Sequence, residues 1–375
     1  MESLEIVNSL NDVNVDDWNA LAGLNPFLQH CFLKALADTG CATTKTGWTQ
    51  QFILLRRDEE LVGAVPLYLK THSRGEFVFD YAWAEAYERF GLPYYPKAVV
   101  AIPFTPVSGP RLLAKTHHDK SALAKAAIQY TKNLGISSLH VLFPEESDLQ
   151  SLREAGYLIR KGVQFHWNNN NYQNFNEFLS SMNHEKRKKI RQARKKITES
   201  GVSFSWLYGN QITDEYLDYF YHCYSKTYAE HSSQPYLSHN FFQRNLKISP
   251  GSMLMIVALL NGKPIASALN ILGGGCLYGR YWGCTEFISG LHFETCYLQA
   301  IEYCIQNKIE VFEGGAQGEH KIARGLIPTQ TFSAHWISDR RFSDAIDQFL
   351  NEESNAMKIY VKELEASTPF RRIEN

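Results

Sequence analysis

Apolar and polar positions follow one order in the first half of the chain and repeat it in the second. Residues 51–55 form an apolar, β-prone run that ends in a polar turn at 56–60. Residues 61–68 return as a second strand, and 77–83 give a third. Much later, 253–260 is again a strand, Asn261-Gly262 is a hairpin turn, and 263–272 returns. Gly273-Gly274-Gly275 then turns into a strand over 276–282, so each meander ends on aromatic residues. After the first meander, Leu123, Ala126, Ala127 and Tyr130 recur at helical spacing within 120–133, Gly135 supplies a stop, and 138–143 is a strand. After the second, Leu291, Thr295, Leu298, Ile301 and Ile305 mark a helix over 291–307, with a short strand at 310–312. Each half closes on a strand carrying His-Trp, at 163–167 and 331–336.

A divergent tandem duplication accounts for this order. Asn168-Asn169-Asn170-Asn171, too polar and turn-prone for a core, sets the boundary between lobes at 1–167 and 168–375. With 44% hydrophobic and 21% charged residues the composition is that of a packed domain pair. A net charge of −1 gives no global attraction to nucleic acid or anionic membrane, so any such binding needs a local patch. The N-terminus is acidic and no apolar run nears the ~20 residues of a membrane span. These features predict a soluble, cytoplasmic protein. The seven cysteines form no C-x-x-C pair, which predicts reduced thiols and no metal site.

Five segments carry groups with chemistry. In 72–87, an extended chain places Glu76 and Asp80 on one face. Paired carboxylates hold an ammonium or act as a base; a solvated sheet face explains them equally well. In 94–111, four prolines stiffen a loop beside Lys97 and Arg111, two cations suited to an anion. In 186–196 eight of eleven residues are basic, and a helix over 184–199 is anchored by Ile190, Ala193 and Ile197. Its stripe of Arg187, Arg191 and Arg194 suits the phosphates of a nucleotide or an RNA backbone, against the alternative of a solvated face. In the fourth segment Arg280-x-x-Gly283 partly resembles the pyrophosphate loop of GNAT enzymes, with Thr285 in its last place, and His292, Glu294 and Tyr297 follow. The His-x-Glu there lacks the P-C-x-x-C of zinc deaminases. The fifth, Glu313-Gly314-Gly315-Ala316-Gln317-Gly318-Glu319-His320-Lys321 with Arg324, packs titratable groups into a glycine loop and is the leading active-site candidate. In an extended loop Glu319 and Lys321 would share one side and His320 the other.

Together HSRGEFVFDYAWAEAY (72–87), YYPK (94–97), PFTPVSGPR (103–111), KRKKIRQARKK (186–196), GRYWGC (279–284), LHFETCY (291–297) and GAQGEHKIARG (315–325) resemble the FemAB-like peptidoglycan biosynthesis/recognition family of predicted N-acyltransferases. The resemblance implies an α+β fold of two tandem GNAT-like (acyl-CoA N-acyltransferase) domains, with antiparallel-rich sheets flanked by helices. It implies transfer of an acyl or aminoacyl group to a small-molecule or peptide amine, with no tightly bound cofactor. The donor is either acyl-CoA as co-substrate or, as in the Fem peptidyltransferases, aminoacyl-tRNA. The alternative class is a non-catalytic module that binds a cell-wall peptide or an anionic ligand. On the enzyme reading, Glu319 or His320 is the base, with Glu294 as the other contender, and Tyr281 or Tyr297 reprotonates the leaving group. Lys321, Arg324 and the N–H groups of 315–318 hold an anion or oxyanion. Glu76, Asp80, Lys97, Arg111 and His292 contact substrate, and Arg187, Arg191, Arg194, Arg280 and Gly283 contact the donor.

Overall fold

Residues 1–316 and 318–371, those described by the computed structural model, fall into two units. The first takes Met1–Val163 and Gln330–Tyr360; the second takes Gln164–Thr329 and the described chain from Val361 onward. The boundary read at 167/168 therefore differs from the division observed. Each His-Trp strand sits in the unit of the other half. The reason is edge pairing: 333–337 adds antiparallel to Ser138–Leu142, with His335 opposite His140. Likewise 166–168 adds antiparallel to Val311–Glu313, with His166 opposite Glu313.

In the first unit, the hairpin Phe52–Arg57 and Glu60–Val65 is flanked by Glu2–Val7 and Leu113–Ala114 in a four-stranded antiparallel sheet. A second set runs in the order Trp48–Gln50, Leu67–Lys70, Lys97–Val100, Ser138–Leu142 and 333–337. The pairing of Lys97–Val100 with Ser138–Leu142 is parallel, and the helix His117–Asn133 connects that pair. The Thr116 side chain caps the helix by accepting the Asp119 N–H at 3.1 Å. Leu123, Ala124, Ala127 and Ile128 turn into a core with Ile53, Leu67, Val100 and Leu139, and Gly135 at φ +65° follows the helix end. The expected strand at 77–83 is instead an irregular segment to Asp80, with Phe77 at φ +62°, followed by the helix Tyr81–Arg89. Trp83 and Tyr87, spaced i and i+4, bury together with Tyr94, Phe342 and Ile346, and that shared burial overrides the local alternation.

The second unit keeps its meander as read. Val202–Tyr208, Met253–Leu260, Lys263–Gly273 and Cys276–Cys284 pair antiparallel in that order. Val311–Glu313 then joins Cys276–Cys284 in parallel, connected through a helical segment over 291–306. Both units thus carry a meander, a helix, a parallel strand and a returning antiparallel strand. The basic helix is His184–Glu199, capped by the Asn183 side chain accepting the Lys186 N–H at 2.9 Å, with only Ile190 and Ile197 buried. Among the described residues no helix is long and apolar enough to cross a membrane.

The helix Asp214–Glu230 packs close against Cys276–Cys284, and one glycine permits it. A Cβ on Gly283 would stand 2.2 Å from the Cys223 carbonyl oxygen, which is backbone and cannot swing away. Gly283→Ala is therefore expected to destabilise the second unit by about 1–3 kcal/mol or more, read as a lowered urea midpoint. An unchanged midpoint would show that helix and strand separate freely.

Candidate active site

A cavity of about 190 Å³ lies in the second unit where two neighbouring strands part. Cys276–Cys284 and Val311–Glu313 pair only over 276–278 with 311–313. Beyond Tyr278 the first strand runs on, while the second chain leaves at Gly314. A Cβ there would meet Leu326 Cδ2 at 2.5 Å, so the exit needs glycine. On the other side of Cys276–Cys284 the register shifts: Leu269 faces Tyr281 and Asn270 faces Gly279. Arg280 is the extra residue of this bulge and lines the cavity beside Tyr281.

The helix that closes the cavity is interrupted. Leu291–Phe293 is α-helical, Glu294–Leu298 is a π-turn, and Gln299–Gln306 is α-helical again. Such a turn changes which side chains face inward: His292, Cys296 and Tyr297 line the cavity, and Glu294 does not. His292 packs against the rings of Trp282, at 5.2 Å, and Tyr297, at 5.6 Å. Burial, then the nearby His320, Arg324 and Lys321, lower its pKa to about 4, so its imidazole is neutral at neutral pH. Burial pushes the Cys296 thiol well up, which keeps it protonated and unreactive.

The glycine loop is not extended. Glu319–Arg324 is a 3-10 helix, so the expected alternation of Glu319, His320 and Lys321 does not hold. Lys321 is 3% exposed and faces the cavity, its ammonium donating to the Gly315 carbonyl at 2.9 Å. Burial lowers its pKa to about 8. Glu319 and His320 are exposed and do not line the cavity. His320 Nε2 lies 3.5 Å from the Tyr297 hydroxyl, and burial, with Lys321 and Arg324, lowers the His320 pKa. Arg324 stacks over Phe293 at 3.6 Å and donates to the His320 carbonyl at 2.6 Å, so it braces the turn. Gln317 lies outside the described residues.

Glu294 is turned to the basic helix. It is 3% exposed, accepts from Arg194 Nε at 2.9 Å and from Gln299 Nε2 at 2.7 Å, and burial raises its pKa. Arg194 also donates to Glu302 at 2.5 Å and stacks on Phe175 at 4.3 Å. Of the predicted arginine stripe, Arg194 is thus engaged internally, whereas Arg187 is half-buried and Arg191 exposed. The Cys223 carbonyl packs against Gly283 on the face where a side chain would project.

The residues expected to hold substrate in the first half are buried among themselves. Lys97, with a fully buried side chain, donates to Glu76 at 2.7 Å and also to Asp80. Burial raises Glu76 to about 7. Burial acts on Asp80 in the same direction, but the ammonium beside it prevails and holds it below the usual range. The two carboxylates meet this ammonium from a loop and a helix N-terminus, not from one strand face. Tyr94 donates to Asp80 at 2.6 Å and lies 3.1 Å from His140, whose Nδ1 is 2.7 Å from His335 Nδ1. Arg111 spends its guanidinium on the carbonyls of Leu142, Val107 and Pro110. Gly109 pairs across to Phe143 and Glu145. The loop 103–111 thereby fills the gap beyond the parallel pair of the first unit, the place where the second unit is open.

The FemAB-like family model, described as peptidoglycan biosynthesis/recognition, matches residues 9–372. The structure of FemX is similar over 92% of this chain and 100% of its own, at 13% identity and a TM-score of 0.57. L-PGS from Bacillus licheniformis is similar over 92% and 97%, at 10% identity and 0.58. A tandem GNAT protein from the clavulanic acid biosynthesis pathway covers 90% and 100%, at 12% identity and 0.48. No curated protein matches the sequence. The fold is α+β, as the sequence predicted, and FemX shares it over nearly the whole chain.

Lys97→Met would leave two carboxylates buried without their cation, and it is expected to cost about 3–5 kcal/mol of stability in denaturant unfolding. Adding Glu76→Gln and Asp80→Asn should recover most of that loss. A triple variant as unstable as the single one would show that the lysine stem, not its charge, matters.

Proposed function

The chain belongs to the FemAB-like peptidoglycan biosynthesis/recognition family, and from that premise we propose that its second unit transfers an acyl or aminoacyl group to an amine. The observation that carries this reading is Lys321, a buried ammonium with pKa about 8 placed where the two strands part. An amine that attacks an ester carbonyl forms a C–N bond and pushes an electron pair onto the carbonyl oxygen. Lys321, with the Arg280 guanidinium lining the same cavity, stabilises that oxyanion in a site largely withdrawn from water. The attacking nitrogen must shed a proton. His292, neutral and in the cavity, accepts it, so base duty moves here from Glu319 and Glu294; His320 remains within reach of Tyr297. When the tetrahedral intermediate collapses, the C–O bond breaks, Tyr281 or Tyr297 protonates the departing oxygen, and the proton held by His292 returns to the tyrosinate.

The donor is an aminoacyl ester in preference to acyl-CoA. What favours this is the partial match of Arg280-x-x-Gly283, with Thr285 in its last place, to a pyrophosphate loop, together with the Cys223 carbonyl packed against Gly283. The acceptor is a peptide amine of a cell-wall precursor, in keeping with the family.

The test is to offer charged tRNAs and acyl-CoAs with amine-bearing muropeptides and to follow the product's mass gain. Lys321→Met should lower turnover by about 100-fold or more while the fold persists. The neutral form of His292 and the charged form of Lys321 are both required. Activity should therefore rise as pH passes about 4 and fall as it passes about 8. A Lys321→Met protein of normal activity would sink the assignment.

A further inference from the structure

A second concavity, of about 590 Å³, lies in the same unit, away from Lys321. It is formed along Val202–Tyr208, which pairs only with Met253–Leu260 and so is an edge of the sheet, and by the end of the helix Gln299–Gln306. Its lining joins three aromatic rings, Trp206, Tyr208 and Tyr303, and Leu272 to three carboxamides, Gln211, Gln306 and Asn307, and among the described residues no charged side chain lines it. Trp206 and Tyr303 meet edge to face at 5.4 Å. The Trp206 indole N–H donates to Gln299 at 2.9 Å, and Gln299 donates to Glu294, which Arg194 holds, so the platform is fixed from behind. The Tyr208 hydroxyl is tied to the Gly251 carbonyl at 2.8 Å, yet Tyr208 remains 43% exposed.

The hydrogen-bonding capacity left over is specific. The Gln211 oxygen accepts the Tyr208 N–H, and the Asn307 amide donates to the Tyr303 carbonyl. That leaves an N–H2 group on Gln211 and an oxygen on Asn307, while Gln306 is exposed and offers both.

We propose that this groove binds a neutral N-acetylated sugar, the glycan portion of the substrate whose peptide amine reacts at Lys321. The C–H face of a pyranose carries partial positive charge and lies against the negative face of an aromatic ring. Hydroxyl and acetamide groups pair with carboxamides, which donate and accept. A nucleotide or an acidic peptide calls for a cation that the lining lacks, and a fatty chain would leave three amides unpaired. The helix supplies both sites: Tyr297 lines the cavity and Tyr303 lines the groove. Six residues of helical rise, about 9 Å, is within the length of one glycopeptide. The choice of an acetamido sugar rests on the transfer reading above; the sugar class rests on the lining alone.

N,N'-diacetylchitobiose titrated into the intact protein, by calorimetry and saturation-transfer NMR, tests this without any transfer assay. Wild-type protein should bind it with a Kd of about 1 mM or tighter, and Gln306→Ala with Tyr208→Ala should weaken binding by about tenfold or more. Gln306→Ala alone alters an exposed side chain and should show a partial loss without any change in thermal midpoint. Lys321→Met should bind the sugar as wild type does, whether or not the transfer reading stands. No binding by wild type, or equal binding by the double variant, overturns the proposal. Displacement of the groove's NMR contacts by a single-stranded oligonucleotide in preference to the sugar also overturns it, in favour of nucleic acid.

Discussion

The second unit depends on a pairing that is allowed to last for only three residues. A parallel strand pair that continued past Tyr278 would seal the sheet with backbone hydrogen bonds and leave no space for side chains. Because the pairing stops, polar groups of the exposed strand and of the loop from Gly314 face one another across a small volume. That volume is polar enough to hold Lys321 and dry enough to weaken its hold on a proton. The bulge at Arg280 and the π-turn at Glu294–Leu298 both adjust what enters this space. In the first unit the same place is closed by 103–111, with Arg111 clamped onto three carbonyls. Among the differences between the two units, the one that bears on the site is that chain packs beside the parallel pair of the first and a cavity opens beside that of the second.

Charge is used in two ways. Lys97, Glu76 and Asp80 are locked to one another inside the first unit, and Arg194 with Glu294 and Glu302 does the same at the edge of the basic helix. Such buried pairs contribute little net stability against an apolar substitute but are severely disruptive when one partner is removed. They fix geometry: Arg194 orients Glu294, Glu294 orients Gln299, and Gln299 holds the Trp206 ring. Lys321, by contrast, has one carbonyl partner for its ammonium and no paired carboxylate among the described residues, which leaves its charge available to a ligand.

Much of the fold was legible in the sequence because it rests on local periodicity and local stop signals. The meander 253–284 has apolar, β-prone runs separated by Asn-Gly and Gly-Gly-Gly turns, and the helix His184–Glu199 begins at a side-chain cap. The helix Tyr81–Arg89 was not legible, since its aromatic residues fit period 2 as well as i, i+4. Nor was the partner of each His-Trp strand, because edge pairing is decided by segments far apart in the chain. In the site, the glycine loop marked Lys321, which lines the cavity. It did not reveal the 3-10 turn that takes Glu319 and His320 out to solvent. The π-turn left no mark at all: one inserted residue per turn shifts Glu294 off the cavity without altering the apolar spacing around it.

The exchange of closing strands has a consequence for biogenesis. Ser138–Leu142 waits for an edge partner about 195 residues downstream, as the His140–His335 contact measures. While the ribosome is still making the middle of the chain, the first unit lacks its last strand and the helical segment up to Tyr360. It must persist with an open sheet edge, the feature most prone to mispairing with other chains. A gene fragment cut at the polar asparagine run encodes neither unit whole, so the first unit is completed only by the second half of the chain.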